Sequence, residues 1–137
     1  MLIMHSYLRL GFIRTYLFAV GCITAFLGVS LLLCPTQMAH IFFFNVSEST
    51  DFFVRITGST LIGYSTLNIL ASRHKEKSLQ NIATWGNLMT LSIASLITIA
   101  YYSKLDSNGW LIVMQHIVFG VGFAICAIKI KLSNKPT

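Results

Sequence analysis

Two ionisable side chains fall inside apolar runs of the chain, Arg55 and His116. A charge or an imidazole in hydrocarbon is costly unless it finds a partner, so each is a candidate for ligand or proton chemistry. Asp51 precedes Arg55 by four residues, the helical spacing of an ion pair. Ser59 lies one turn beyond Arg55, and Tyr101 and Tyr102 close a third apolar run. Arg55 suits an anion or a carbonyl, and His116 can donate or accept a hydrogen bond. Asp51, Ser59 and Tyr102 are the expected companions of the two in a polar pocket. The competing readings are structural. Arg55 can snorkel to headgroups while paired with Asp51. Tyr101, Tyr102 and Trp110 suit an aromatic belt at a membrane surface. His116 can bond a neighbouring helix.

Reactive sets are absent from the sequence. No HExxH, GxSxG or paired-carboxylate pattern occurs, so no catalytic residue is assigned. The acids Glu48, Asp51, Glu76 and Asp106 fall in loops or at helix ends, which offers no embedded carboxylate for proton-coupled transport. A bis-histidine haem needs two facing ligands, and only His116 is inside a run. A quinone or pigment against His116 is the one cofactor contact these residues offer. Cys22, Cys34 and Cys126 have no CxxC or Cys/His spacing, so no metal site is expected. Asn45-Val46-Ser47 matches a glycosylation sequon.

The elements that must position these residues are membrane helices. Charged residues make up 10% of the 137 and the mean hydropathy is +0.72, against roughly 25% charged in a soluble domain. Such a chain cannot cover a water-facing surface. Four runs, at about residues 15–33, 52–72, 79–103 and 110–128, have the length needed to cross about 30 Å of hydrocarbon. Arg9 and Arg14 precede the first run, but that run is longer than a signal peptide's apolar core and is read as a retained span. Pro35 ends it, and residues 36–46 are expected to lie in the interface. Ser49, Thr50 and Asp51 offer N-caps for the second span. Residues 1–12 are expected along the opposite interface.

The net charge of +6 is topological. Arg9, Arg14, Arg73, Lys75, Lys77, Lys129, Lys131 and Lys135 all fall on one side of the four runs. Short loops with that bias place the side in the cytoplasm, so both termini are expected inside, in a bacterial inner membrane. The basic residues then face anionic lipid, and nucleic acid is not an expected partner. The fold class is an all-α, four-span antiparallel bundle, formed by residues 1–137 as one membrane domain.

Lipid is as apolar as leucine, so small and polar residues must hold the spans together. Gly21 and Gly28 form a stripe on the first span, and Gly58 and Gly63 lie on the second. Gly120 shares a face with His116 on the fourth. Asn68 and Asn87 fall at similar depth and can hydrogen-bond across helices. A glycine-bearing first helix ending at Pro35, an apolar interfacial loop, and Arg55-Ile56-Thr57-Gly58 opening a helix that runs through Gly63 to Asn68 make a recognisable layout. It resembles the small four-helix bacterial membrane proteins grouped as DoxX-like. The resemblance implies a four-helix membrane fold and, for some members, redox-associated membrane assemblies; it carries over no catalytic residue. The leading expectation is a non-enzymatic protein that works by association, with other membrane subunits or with itself. The alternative is binding or transport of a small lipid, quinone or anion in the outer half of the bundle.

Overall fold

The computed structural model describes residues 2–42, 48–100 and 109–133, and every described element is helical. Helix α1 spans Leu2–Leu33, α2 Pro35–Phe42, α3 Glu48–Arg73, α4 Lys77–Ala100 and α5 Gly109–Ser133. Residues 2–12 continue α1 rather than forming a separate interfacial segment. The break after α1 is local: Cys34 N–H still donates to Ser30 O at 2.9 Å, and Met38 N–H restarts the ladder on Cys34 O at 3.0 Å. Pro35 has no N–H and therefore takes the first position of α2, where none is required. Because α3 begins at Glu48, Asp51 lies within its first turn and is not its N-cap. The sequon, Tyr101 and Tyr102 lie outside the described residues.

Among the described residues, three helical segments are long and apolar enough to cross a membrane: Gly11–Leu33, Lys77–Ala100 and Trp110–Leu132. The 26-residue α3 is long enough but more polar, with hydroxyl or amide side chains at Thr57, Ser59, Thr60, Ser65, Thr66 and Asn68. Most of those hydroxyls return to their own helix. Thr57 donates to Phe53 O, Thr60 and Thr66 to Ile56 O and Ile62 O, and Ser65 to Ile62 O, all at 2.7–3.0 Å. Each such bond satisfies a hydroxyl within its own helix.

The exterior is apolar and much of the interior is small or polar, as lipid demands. Phe26, Phe53, Met89, Leu96 and Ile99 are exposed, while Thr24, Ser65, Asn68, Gln80, Thr84 and Asn87 are buried. The closest packing is between α1 and α3, which run antiparallel. A Cβ on Gly28 would lie 2.8 Å from the Gly58 carbonyl oxygen, and one on Gly58 only 2.7 Å from that of Gly28. One turn-pair away, a Cβ on Gly21 would meet Ile69 at 2.8 Å and Ser65 O at 3.2 Å. The two backbones are therefore in contact, which only glycine allows.

Arginines fasten both ends of this pair. Arg14 Nε of α1 donates to Ser72 O, in the last turn of α3, at 2.7 Å. Arg55 Nη1 of α3 donates to Leu32 O, in the last turn of α1, at 2.9 Å. Each cation meets the unpaired carbonyls and the negative dipole end of the other helix.

Helices α4 and α5 form the second close pair, and the two pairs touch each other less extensively. They converge at the end carrying Arg14, Arg73 and Lys129, called the basic end below. There Ile13, Leu17, Val20, Ala71, Ala83, Phe123, Cys126 and Ile130 form one buried cluster. Lys129 Nζ lies 3.6 Å from the centroid of the Phe12 ring, joining α5 to α1. Tyr16 crosses to α5, donating its hydroxyl to Phe119 O at 3.0 Å and meeting Phe123 edge-on at 5.2 Å. Its ring occupies the space that a side chain on Gly122 would need.

Gly63 and Gly120, expected on packing faces, have nothing within 4 Å of an added Cβ, whereas Gly122 does the work on α5. Gly28→Ala must separate α1 from α3 and should cost about 1–3 kcal/mol. Gly120→Ala should stay within about 0.5 kcal/mol. Reversible unfolding of the two variants in mixed micelles checks this; equal losses would mean that the glycine contact does not hold the pair.

Candidate functional site

The two helix pairs diverge away from the basic end and leave a cavity of about 300 Å³. Its closed bottom is set by a polar pair. Asn87 Nδ2 donates to Asn68 Oδ1 at 2.7 Å and to Ala83 O at 2.6 Å, while Asn68 Nδ2 donates to Asn87 Oδ1 at 3.3 Å. Both amides are buried, so each is satisfied chiefly by the other. One turn above, Tyr64 and Thr90 share a 2.9 Å hydrogen bond that again joins α3 to α4. Val20, Thr24 and Phe123 complete the floor. Beyond these ties the walls separate: Thr57 and Thr60 on α3 face Ala94 on α4 and Gln115, His116 and Phe119 on α5. Thr57 and Thr60 are exposed, so the cavity opens to the surroundings of the bundle.

Among the described residues the lining contains no Lys, Arg, Asp or Glu. Its hydroxyl protons are mostly committed to helix carbonyls, with Thr24 donating to Val20 O at 2.8 Å, Thr57 to Phe53 O at 2.9 Å and Thr60 to Ile56 O at 3.0 Å. The free hydrogen-bonding capacity lies on α5. His116 Nδ1 is 3.4 Å from Thr98 Oγ1, while Gln115 makes no side-chain hydrogen bond among the described residues. Burial at the floor and apolar walls at the sides give a pocket that suits an uncharged molecule with one polar end.

The candidate residues of the sequence divide into two places. Asp51 and Arg55 come together: Arg55 Nε donates to Asp51 Oδ2 at 3.1 Å and Thr36 Oγ1 donates to Asp51 Oδ1 at 2.9 Å. With Arg55 also on Leu32 O, this cluster pins α2 and the last turn of α1 to the start of α3. The Arg55 side chain is half exposed and lies outside the cavity lining, as do Asp51 and Ser59. The hydroxyl of Ser59 donates to its own helix, at Ile56 O, 2.8 Å away. His116 is in the cavity, away from the arginine it was expected to join. Tyr102 lies outside the described residues. Gln115 was missed, although it is the only amide in the run 110–128 and adjoins the histidine. Tyr16 and Gly122 carry no such signal, since a tyrosine and a glycine in two apolar runs do not announce that they meet.

Among the described residues, no three His, Cys, Asp or Glu side chains converge as metal ligands. No protein-family model, no curated protein and no solved structure matches the chain.

Hydrogen bonds from Thr36 first, and then from Arg55, hold the Asp51 carboxyl below its ordinary value of 3.8. A lowered carboxyl contributes stability that is fully present above 3.8 and is lost as the pH falls through the lowered value. Thr36→Val should therefore move the Asp51 midpoint back up towards 3.8, followed by carboxyl-carbon NMR titration. An unmoved midpoint would show that the Thr36 hydroxyl does not control this carboxylate.

Proposed function

We propose that the chain is a four-span membrane protein that binds a small amphipathic molecule in the cavity beside His116, without catalysing a reaction on it. The observation that carries the reading is that cavity: closed by Asn68 and Asn87 at one end, open at Thr57 and Thr60, and lined by apolar side chains with a few uncharged polar groups. The packing of α3 supports four spans. It lies against α1 from Arg14–Ser72 to Leu32–Arg55, so if α1 crosses the bilayer α3 crosses with it. An even number of spans returns the C-terminus to the side of the N-terminus. The excess of Lys and Arg at the basic end makes that side cytoplasmic, in a bacterial inner membrane, and puts the cavity in the outer half. The DoxX-like resemblance belongs to the same reading: in Arg55-x-x-Gly58, both named residues dock α3 on the C-terminal part of α1.

A second reading, association with another subunit or a second copy, is favoured by one face of α3. Ser59, Gly63 and Thr66 are exposed there in a stripe of small residues, the type of surface that lets membrane helices approach closely.

Native mass spectrometry from detergent micelles tests both. The binding reading expects one retained molecule lighter than a phospholipid. Ala94→Phe, which fills the cavity from α4, should release it while leaving the protein folded. Equal retention by wild type and Ala94→Phe, or no retained molecule in either, contradicts that reading. The same spectra give the copy number, and a dimer with an empty cavity would favour association instead.

A further inference from the structure

We infer that the polar end recognised by this cavity is a neutral hydroxyl, an alcohol or phenol, oriented by His116 and Gln115. The inference rests on the binding reading and names its ligand class.

Thr98 has one hydroxyl proton, and it goes to Ala94 O at 2.8 Å. The longer 3.4 Å contact between Thr98 Oγ1 and His116 Nδ1 must then take its hydrogen from the imidazole. A neutral imidazole protonated at Nδ1 carries an unprotonated Nε2, which is an acceptor only. Thr98 on α4 does not line the cavity; it shares a small neighbouring pocket with His116, which lines both. The nitrogen away from Thr98 is the one left to a ligand.

Next to it on α5, the Gln115 amide provides both N–H donors and a carbonyl acceptor. A ligand that pairs with His116 Nε2 and with a Gln115 N–H donates one hydrogen bond and accepts another. A hydroxyl does both with a single atom. An ether or a ketone accepts but leaves Nε2 unpaired. A carboxylate brings a charge into a lining without a cation among the described residues, because Arg55 is engaged with Asp51 and Leu32 O outside the cavity. The remaining walls, Val20, Leu61, Leu91, Phe119 and Phe123, offer an apolar surface to the rest of the molecule.

The test uses three probes that share one diazirine-bearing hydrocarbon tail: a primary alcohol, its methyl ether and the corresponding carboxylic acid, the last at a pH where it is ionised. The full chain in lipid nanodiscs is photolabelled with each, and the adducts are mapped to peptides. The alcohol is expected to label α4 and α5 saturably at the cavity, with an affinity about 10- to 100-fold above that of the ether. The acid should not compete. His116→Phe should bring the alcohol down to the level of the ether, while Gln115→Leu should weaken alcohol and ether alike. The second variant keeps the test open if the first does not fold. Ether binding as tight as alcohol binding, or competition by the acid, overturns the hydroxyl assignment while leaving the cavity a binding site. Absence of saturable cavity labelling by all three probes overturns the binding reading, and the hydroxyl assignment with it.

Discussion

The contact between Gly28 and Gly58 governs the rest of the architecture. At that point two helix backbones touch, and neither position has room for a single carbon atom. In lipid no hydrophobic force drives helices together, so close approach is what stabilises a pair, through dispersion and backbone contact. The reciprocal arginines, Arg14 on the end of α3 and Arg55 on the end of α1, then fix the register of the pair from both sides. With its full length laid against α1, α3 can satisfy its many hydroxyls and its asparagine within the bundle. Those groups either return to their own carbonyls or find partners inside the bundle.

The same arrangement explains why the bundle is closed at one end and open at the other. The ties between the two helix pairs are concentrated towards the basic end: Lys129 over Phe12, Tyr16 on Phe119 and Gly122, and Asn68 with Asn87. An interhelical amide pair of this type contributes about 0.6 kcal/mol in measured cases, so closure depends on several modest contacts acting together. Above Tyr64 and Thr90 no hydrogen bond joins α3 to α4 among the described residues, and the walls stand apart around His116. The cavity is thus a consequence of where polar ties were placed.

Much of this frame was legible in the sequence, because span length, basic flanks and small-residue stripes are one-dimensional features. Gly21, Gly28 and Gly58 could be recognised as packing positions from their spacing, and the Asn68–Asn87 meeting from their depth. The three most apolar runs are visible as candidate spans, while α3 is more polar, and its hydroxyls are satisfied by bonds that a hydropathy average does not count. Arg55 was the most conspicuous functional candidate, yet its chemistry is taken up by Asp51 and the Leu32 carbonyl. The residue types show that an arginine in an apolar run needs a partner, but a backbone carbonyl on another helix leaves no mark in the sequence. The reverse holds for Gly122, whose importance comes entirely from a tyrosine more than one hundred positions earlier that crosses to it.

The central claim is that α3 crosses the bilayer alongside α1. Single cysteines placed at its two ends, Phe53→Cys and His74→Cys, in a background lacking the three native cysteines, test this directly. Both positions are exposed on the folded protein. A membrane-impermeant maleimide applied to intact spheroplasts should label position 53 at once and position 74 only after permeabilisation. Labelling of both positions from the same side would show that α3 does not span the membrane, and the account built on its pairing with α1 would fail.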